Sequence, residues 1–536
     1  MKKLIFVLAV AMTLFSGCSD DDDNNIVPGG SVNGSSNEQG PGNEYQGDPV
    51  PDEHYLGTLC AFNGSHRVGD FGDPAEYETN EYFNLPLFKS SYTADVPECE
   101  EEWWDNLVEE LAYSGVDFVV MNCRGQLHRL GAVEEGEKDH GNPTKLTELI
   151  TAMERRGVAD KFKIAVFDDC PASWDAARNY DLGNEYANSG MNAFPLSDLE
   201  DIYKYIWDYN LKLAFETIPE KYWFKFMNRP VIYFWSLNNF LSGDHYGELR
   251  TILAKIREDF NAEFHCDPYL IVDKGFLERD KSLYYTSYVD AVNDWFTTPT
   301  PPYSIHEWYS GAKMGIGVPG FKKKTQIIDP KGGDQLVETL KNTIGKGAHL
   351  TMIEGFTDTY ENAALWRSTD AVYYKYPNQR INIMRRFSKN PYPAELKVEA
   401  EGCDSFHDIT EGNAPGSYRA GDLDIDKCGD QYLGWCVVNT EAGEWMEWKE
   451  LPFRAQETSM MIRYRSTAVA SVSFTVDEGE SAVVLDAVSL PATNGEWKTL
   501  EAGKISFTEN GLHTVRLNIV SGSPDINYFV ITNNHE

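Results

Sequence analysis

Acidic side chains recur at the ends of short apolar runs in this chain: Asp168 and Asp169 after Phe162–Phe167, Asp273 after Tyr269–Val272, Asp294 inside Ala291–Phe296, and Glu354 after His349–Ile353. Polar and aromatic residues hold the same kind of position, namely His66, Asn122, Arg124, Trp235 and Trp295, with Glu361 shortly after Glu354. Carboxylates gathered beside indole rings suit the hydrolysis of glycosidic bonds. One protonated carboxyl gives its proton to the leaving oxygen, and a second acts as nucleophile or activates water. An indole stacks on the C–H face of a pyranose, while His, Asn and Arg meet its hydroxyls. On this reading Glu354 is the general acid, and Asp169, Asp294 or Asp273 supplies the second carboxylate. Ile353 and Phe356, the apolar neighbours of Glu354, would raise its pKa and keep it protonated near neutrality. Neighbours at a strand end face opposite sides, so Asp168 points away from Asp169, and one of them is expected to cap the following segment.

Positioning such groups requires a scaffold that brings many strand ends to one mouth. Eight apolar runs between Tyr55 and Ile353 alternate with amphipathic stretches such as Trp103–Ser114, Lys145–Arg156, Leu199–Phe215, Tyr246–Asp259 and Gln335–Ile344. Strand and helix in regular alternation predict an α/β fold, here a (β/α)8 TIM-like barrel over residues 51–392, whose chemistry would sit at the C-terminal ends of the strands. A doubly wound sheet also alternates, but no glycine-rich phosphate loop follows the first run. The proline-rich stretch Thr297–Pro302 reads as a rigid loop over the mouth.

Residues 393–536 change character. Period-two alternation in Ser459–Arg465, Ser471–Val476 and His513–Ile519, broken by Gly, Asn and Asp, predicts an all-β sandwich of jelly-roll type. The ordered segments Ser417–Asp426, Tyr432–Cys436, Ala442–Trp448, Gly495–Lys498, Gly511–Leu517 and Asp525–Phe529 resemble the carbohydrate-binding modules of family 6 and its relatives. That resemblance implies a sugar held at one edge of the sandwich by Trp435, Trp497 and Asn527. It also places a structural calcium at Glu399 and Glu401, whose carboxylates fall on one face of a strand. Asp422, Asp424 and Asp426 have the spacing of a calcium loop but lack its glycine.

The barrel also carries a resemblance. Phe167–Trp174, Phe215–Trp223, Arg229–Trp235 and Ile353–Glu361 resemble glycoside hydrolase families 71 and 99, and the group of Bacteroidota lipoproteins whose barrel has no settled activity. Members of the mannosidase type end strand eight in two glutamates three apart. The second matches Glu354, before Gly355; the first matches Thr351, which cannot act as an acid or base. The resemblance thus implies either a hydrolase with its second carboxylate on another strand, or a barrel that binds glycan without cleaving it for a polysaccharide-uptake system. A surface adhesin for a protein partner is a third reading.

The first residues, Lys2 and Lys3, a short apolar run and Cys18, read as a secretory signal over 1–18 with a lipobox-like end. Lipidation of Cys18 and the acidic Asp20–Asp23 resemble the signal of outer-surface lipoproteins, implying a lipid-anchored protein of the outer membrane. Residues 19–50, rich in Gly, Asn and Ser, read as a flexible tether. The formal charge of −37 excludes nucleic acid as a partner. A glycan ligand and a monomeric state are expected, with no cofactor for catalysis. Eight cysteines besides Cys18 leave the disulfide pattern open.

Overall fold

The computed structural model describes residues 50–61, 86–88, 97–130, 141–169, 199–235, 247–285, 288–294, 305–323, 326–359, 361–369, 373–414 and 418–533. Cys18, the tether, His66 and Trp295 lie outside the described residues.

All eight expected strands form: β1 (Tyr55–Ala61), β2 (Phe118–Cys123), β3 (Lys163–Asp168), β4 (Arg229–Phe234), β5 (Tyr269–Asp273), β6 (Ala291–Asn293), β7 (Lys313–Gly317) and β8 (Leu350–Ile353). They pair in parallel in the order β6-β5-β4-β3-β2-β1-β8-β7, with the short strand His306–Glu307 antiparallel on β7. The ends β6 and β7 come side by side without a ladder, so the sheet is nearly closed and barrel-like. Period-two alternation divides its side chains. Phe118, Val120, Ala165, Phe167, Val231, Tyr233, Tyr269, Ile271, Met314, Ile316, Leu350 and Met352 fill the interior. The alternate residues, such as Val119, Ile164, Ile232, Leu270 and Ile353, face outward under the helices.

Helices α1 (Pro97–Ser114), α2 (Leu146–Arg155), α3 (Leu199–Ile206), α4 (Glu248–Phe264), α5 (Lys274–Arg279), α6 (Asp334–Thr343) and α7 (Gln379–Phe387) accompany the strands. The amphipathic pattern of 199–215 predicts one helix. Instead a π-helical turn, Trp207–Leu211, follows α3, and helix resumes at Lys212–Thr217. The extra residue in that turn aims Asn210 at the end of β3.

The C-terminal sandwich begins at β9 (Glu395–Glu399). One sheet runs β11 (Ile425–Lys427), β12 (Trp435–Val437), β18 (Asp525–Thr532), β14 (Glu457–Arg465) and β16 (Lys498–Ser506), with β9 also on β18. The other contains β10 (Ser405–His407), β13 (Trp445–Phe453), β17 (Gly511–Ser521) and β15 (Ala470–Val476). Trp448, Phe474 and Phe529 pack edge-on between the sheets. Sandwich and barrel share a buried polar seam: Tyr418 Oη donates to Asn106 of α1 at 2.6 Å, and Arg385 of α7 donates to the carbonyls of Tyr113 and Glu450.

Candidate functional site

Glu354 continues the inward phase of Leu350 and Met352, so its carboxyl stands at the C-terminal mouth of the barrel, largely buried. Its amide donates to the Gly317 carbonyl at 2.8 Å, the last step before the chain turns. Gly355 makes that turn at φ +87°, where an added Cβ would lie 2.7 Å from the Cβ of Ala363 and 2.8 Å from its carbonyl oxygen. The loop that follows is tied to its surroundings. Phe356 N–H donates to Leu59 O at 2.8 Å, Thr357 Oγ1 to Ala61 O at 2.7 Å, and Lys322 N–H to Glu361 O at 2.8 Å. Glu361 N–H donates to Asp358 Oδ1 at 2.9 Å. As a result one oxygen each of Glu354, Asp358 and Glu361 lies within 4.8 Å of the others, the one such acidic triplet among the described residues. Three carboxylates at that spacing repel one another, and a shared proton or hard cation relieves the repulsion.

The expected neighbours of Glu354 are arranged differently. Ile353 and Phe356 belong to the outer apolar cluster, whereas Glu354 follows the inward phase toward its acidic neighbours. Thr351 also faces outward, where Gly315 of β7 leaves room for its hydroxyl and for Thr343 of α6. A carboxylate at 351 on this backbone would face away from Glu354.

Each of the strand-end aspartates has contacts of its own. Asp169 faces the mouth and pairs with Arg124, Nε to Oδ2 at 2.9 Å, tying the ends of β3 and β2 together. Asp168 faces outward, fully buried, and accepts from Asn210, which also donates to Cys123 O at 3.1 Å; the expected opposition of the two aspartates holds. Asp273 accepts from Gly275 N–H at 2.8 Å and caps α5. Asp294 is half-buried, with Lys274 Nζ at 3.7 Å. Trp235 is half-buried against the inner cluster. Two amides face the interior without satisfaction: Asn122 Oδ1, and both polar atoms of Asn293, which is 2% exposed. Sequence reading missed Asp358 and Asn293. Asp358 lies in a turn, where no strand phase marks it, although an acidic Glu-x3-Asp-x2-Glu spacing was visible. Asn293 was hidden inside an apolar run.

In the sandwich, Trp435, Trp497 and Asn527 converge on one hairpin. Trp435 lies in β12, and Tyr418 covers one of its faces at a centroid distance of 4.1 Å; Phe88 stacks beyond Tyr418 at 4.7 Å. Trp497 rests on Cys428, Cys436 and Val438, with the Arg465 guanidinium 4.9 Å from its ring centroid. Asn527 Nδ2 donates to Asp430 Oδ2 at 2.9 Å, and Asp430 in turn pairs with Arg463.

Glu399 and Glu401 do not fit a calcium pair. Lys397 Nζ lies 2.5 Å from Glu399 Oε1 and 3.4 Å from Glu109 of α1, and Arg156 also binds Glu109. The protein's own cations occupy the place of the ion. Burial works against ionisation of Glu109, but Arg156 and Lys397 hold it down to about 2. Burial, then the charges of Glu399 and Glu109, push Glu401 well above the usual carboxylate range.

The class defined by these two parts is a barrel-like α/β domain with a carboxylate-lined mouth, joined to an all-β sandwich. A family model described as "Domain of unknown function (DUF5010)" matches residues 52–405, more than half of the chain, and the chain belongs to that family. A second, the carbohydrate-binding module of family 35, matches residues 419–531, so the C-terminal part is a family 35-like carbohydrate-binding module. Among solved structures, the chain is similar to the C-terminal family 6 module of the laminarinase LamC from Zobellia galactanivorans, at 24% identity over 26% of this chain and 98% of that one, with a TM-score of 0.21. The family 6 module of Cellvibrio mixtus lichenase 5A, in complex with cellotriose, is 19% identical over 26% and 98%, TM-score 0.21. A Podospora anserina β-(1,4)-mannanase with a family 35 module is 16% identical over 27% and 28%, TM-score 0.20. No curated protein matches the chain.

Proposed function

We propose that the protein is a glycoside hydrolase whose barrel domain cleaves a complex polysaccharide or host glycan while the C-terminal module holds the polymer. The nearly closed sheet is read as a (β/α)8 barrel, and its C-terminal mouth as the active site. The observation that carries this reading is the approach of Glu354, Asp358 and Glu361 to within 4.8 Å at that mouth. Glu354, largely buried just past the end of β8, donates a proton to the leaving oxygen. Glu361, less buried, supplies the second carboxylate in place of the strand-end aspartates, and Asp358 holds it through the Glu361 N–H. Retaining hydrolases hold their two carboxyl groups about 5–5.5 Å apart, against roughly 6.5–9.5 Å in inverting ones, and the approach of these oxygens to within 4.8 Å favours the retaining arrangement. Asn122, Asn293 and Trp235 bind the sugar beside them. Cys18 carries the lipid that places the protein, as a monomer, at the outer membrane surface.

A second reading, glycan binding without cleavage, is favoured by one observation: Asp169 is paired and Asp273 caps a helix, so two expected partners of Glu354 are engaged elsewhere. Incubation with a broad panel of polysaccharides and glycans, read by mass spectrometry beside Glu354→Gln and Glu361→Gln, separates the two. The hydrolase reading expects released sugars that fall at least a hundredfold in both variants. Retention of a glycan with no product from the unaltered protein would establish binding alone.

A further inference from the structure

The hairpin on which Trp435, Trp497 and Asn527 converge holds two cysteines. Cys436 lies in β12, and Cys428 directly follows β11. Asp426 pairs with Cys436 and Lys427 with Trp435, which sets Cys428 opposite Gly434, its N–H donating to Gly434 O at 2.7 Å. On an antiparallel pair, residues so placed are diagonal neighbours on one face. Both are buried, and with Val438 they form a small apolar cluster of their own under Trp497. Both are free thiols in the structure, packed in that cluster, and Cys436 Sγ donates to Asp426 O at 3.6 Å; their mutual contact and burial push the Cys436 thiol far up.

We infer that Cys428 and Cys436 form a disulfide as the chain folds, locking the hairpin that carries Trp435. The inference rests on the reading of the protein as exported, since such bonds persist in oxidising compartments. One cysteine thiolate attacks a disulfide donor, a dithiol oxidase in the exporting cell, and expels one of its thiolates. The second cysteine thiolate then attacks the chain's sulfur in the mixed disulfide and expels the other. Two electrons and two protons pass from the cysteine pair to the donor, which leaves as a dithiol. The closed loop has two tasks. Asp430 within it engages Arg463 and Asn527 at the expected sugar edge. Tyr432 offers its carbonyl to Arg156 Nη1 at 2.5 Å and lays its ring on Gly157, seating the module on the barrel. The cross-link thus fixes the sugar edge and the domain joint together.

Cys428 and Cys436 fall on one tryptic peptide, bounded by Lys427 and Lys449. The full chain is unfolded, refolded with oxidised and reduced glutathione, alkylated in denaturant and digested. The expected peptide is unalkylated and two hydrogens lighter than its reduced form, and takes up two alkyl groups only after reduction. A doubly alkylated peptide without reduction, or one linked to a different cysteine, would overturn the inference. The melting temperature should fall on reduction, with Cys428→Ser/Cys436→Ser at the reduced value; an unchanged melting temperature would sink the locking role. Neither readout depends on glycan binding or cleavage, so failure here leaves the hydrolase reading standing.

Discussion

At the scale of single residues, Gly355 decides where the acidic triplet stands. A side chain there would meet both a left-handed backbone, φ +87°, and the body of Ala363. Gly355→Ala should therefore cost about 1–3 kcal/mol, seen as a lower unfolding midpoint, and should also displace Glu354 from Asp358 and Glu361, reducing product release more than the lost stability explains. Asn293 poses the opposite case. Its buried, unpaired amide costs stability, of order 1–3 kcal/mol. Asn293→Ala should leave the melting temperature level or raise it, while KM for the cleaved glycan rises. A parallel loss of stability and function would mean instead that the amide holds the fold.

At the scale of elements, strand phase was legible and partner choice was not. Alternation in each apolar run told which residues face the interior, and it correctly separated Asp168 from Asp169. Alternation could not tell that Asp169 would meet Arg124 from the neighbouring strand, because the β2–β3 register fixes that pairing. Nor could it show the π-helical turn, whose extra residue becomes visible only once Asn210 must reach Asp168. The Arg124–Asp169 pair predicts a specific cycle. Arg124→Met should destabilise by about 1.5–3 kcal/mol, because it removes a charge-assisted hydrogen bond to a buried carboxylate. Arg124→Met/Asp169→Asn should recover most of that loss in denaturant titrations. Additive losses would show that the two groups are not coupled.

The whole molecule is joined through ionisable groups that lost their water. Glu110 of α1 accepts from the Arg367 backbone N–H at 2.7 Å; burial pushes its carboxyl from 4.5 up to about 7, against the pull of the Arg367 charge and that hydrogen bond. The folded chain therefore keeps a proton between pH 4.5 and 7 that the unfolded chain releases. Stability from this group is greatest below pH 4.5, and about 3 kcal/mol of it is lost as the pH rises to 7. Glu110→Gln keeps an acceptor for Arg367 without that proton. Relative to the unaltered protein, it should gain stability at pH 8 and gain none at pH 4, as measured by denaturant unfolding at the two pH values. An equal difference at both would remove Glu110 from the account.

The sequence by itself determined the eight-stranded alternation, the sandwich and the position of Glu354 at a strand end. Each depends on local period and composition, which the chain carries residue by residue. Tertiary structure alone decided who stands beside whom. It placed Asp358 and Glu361 within 4.8 Å of Glu354. It also set Lys397 against Glu399 where an ion was expected. Partners of a buried charge are chosen by register, by turn geometry and by the packing of one domain on another, and none of these has a period to be read in a single strand.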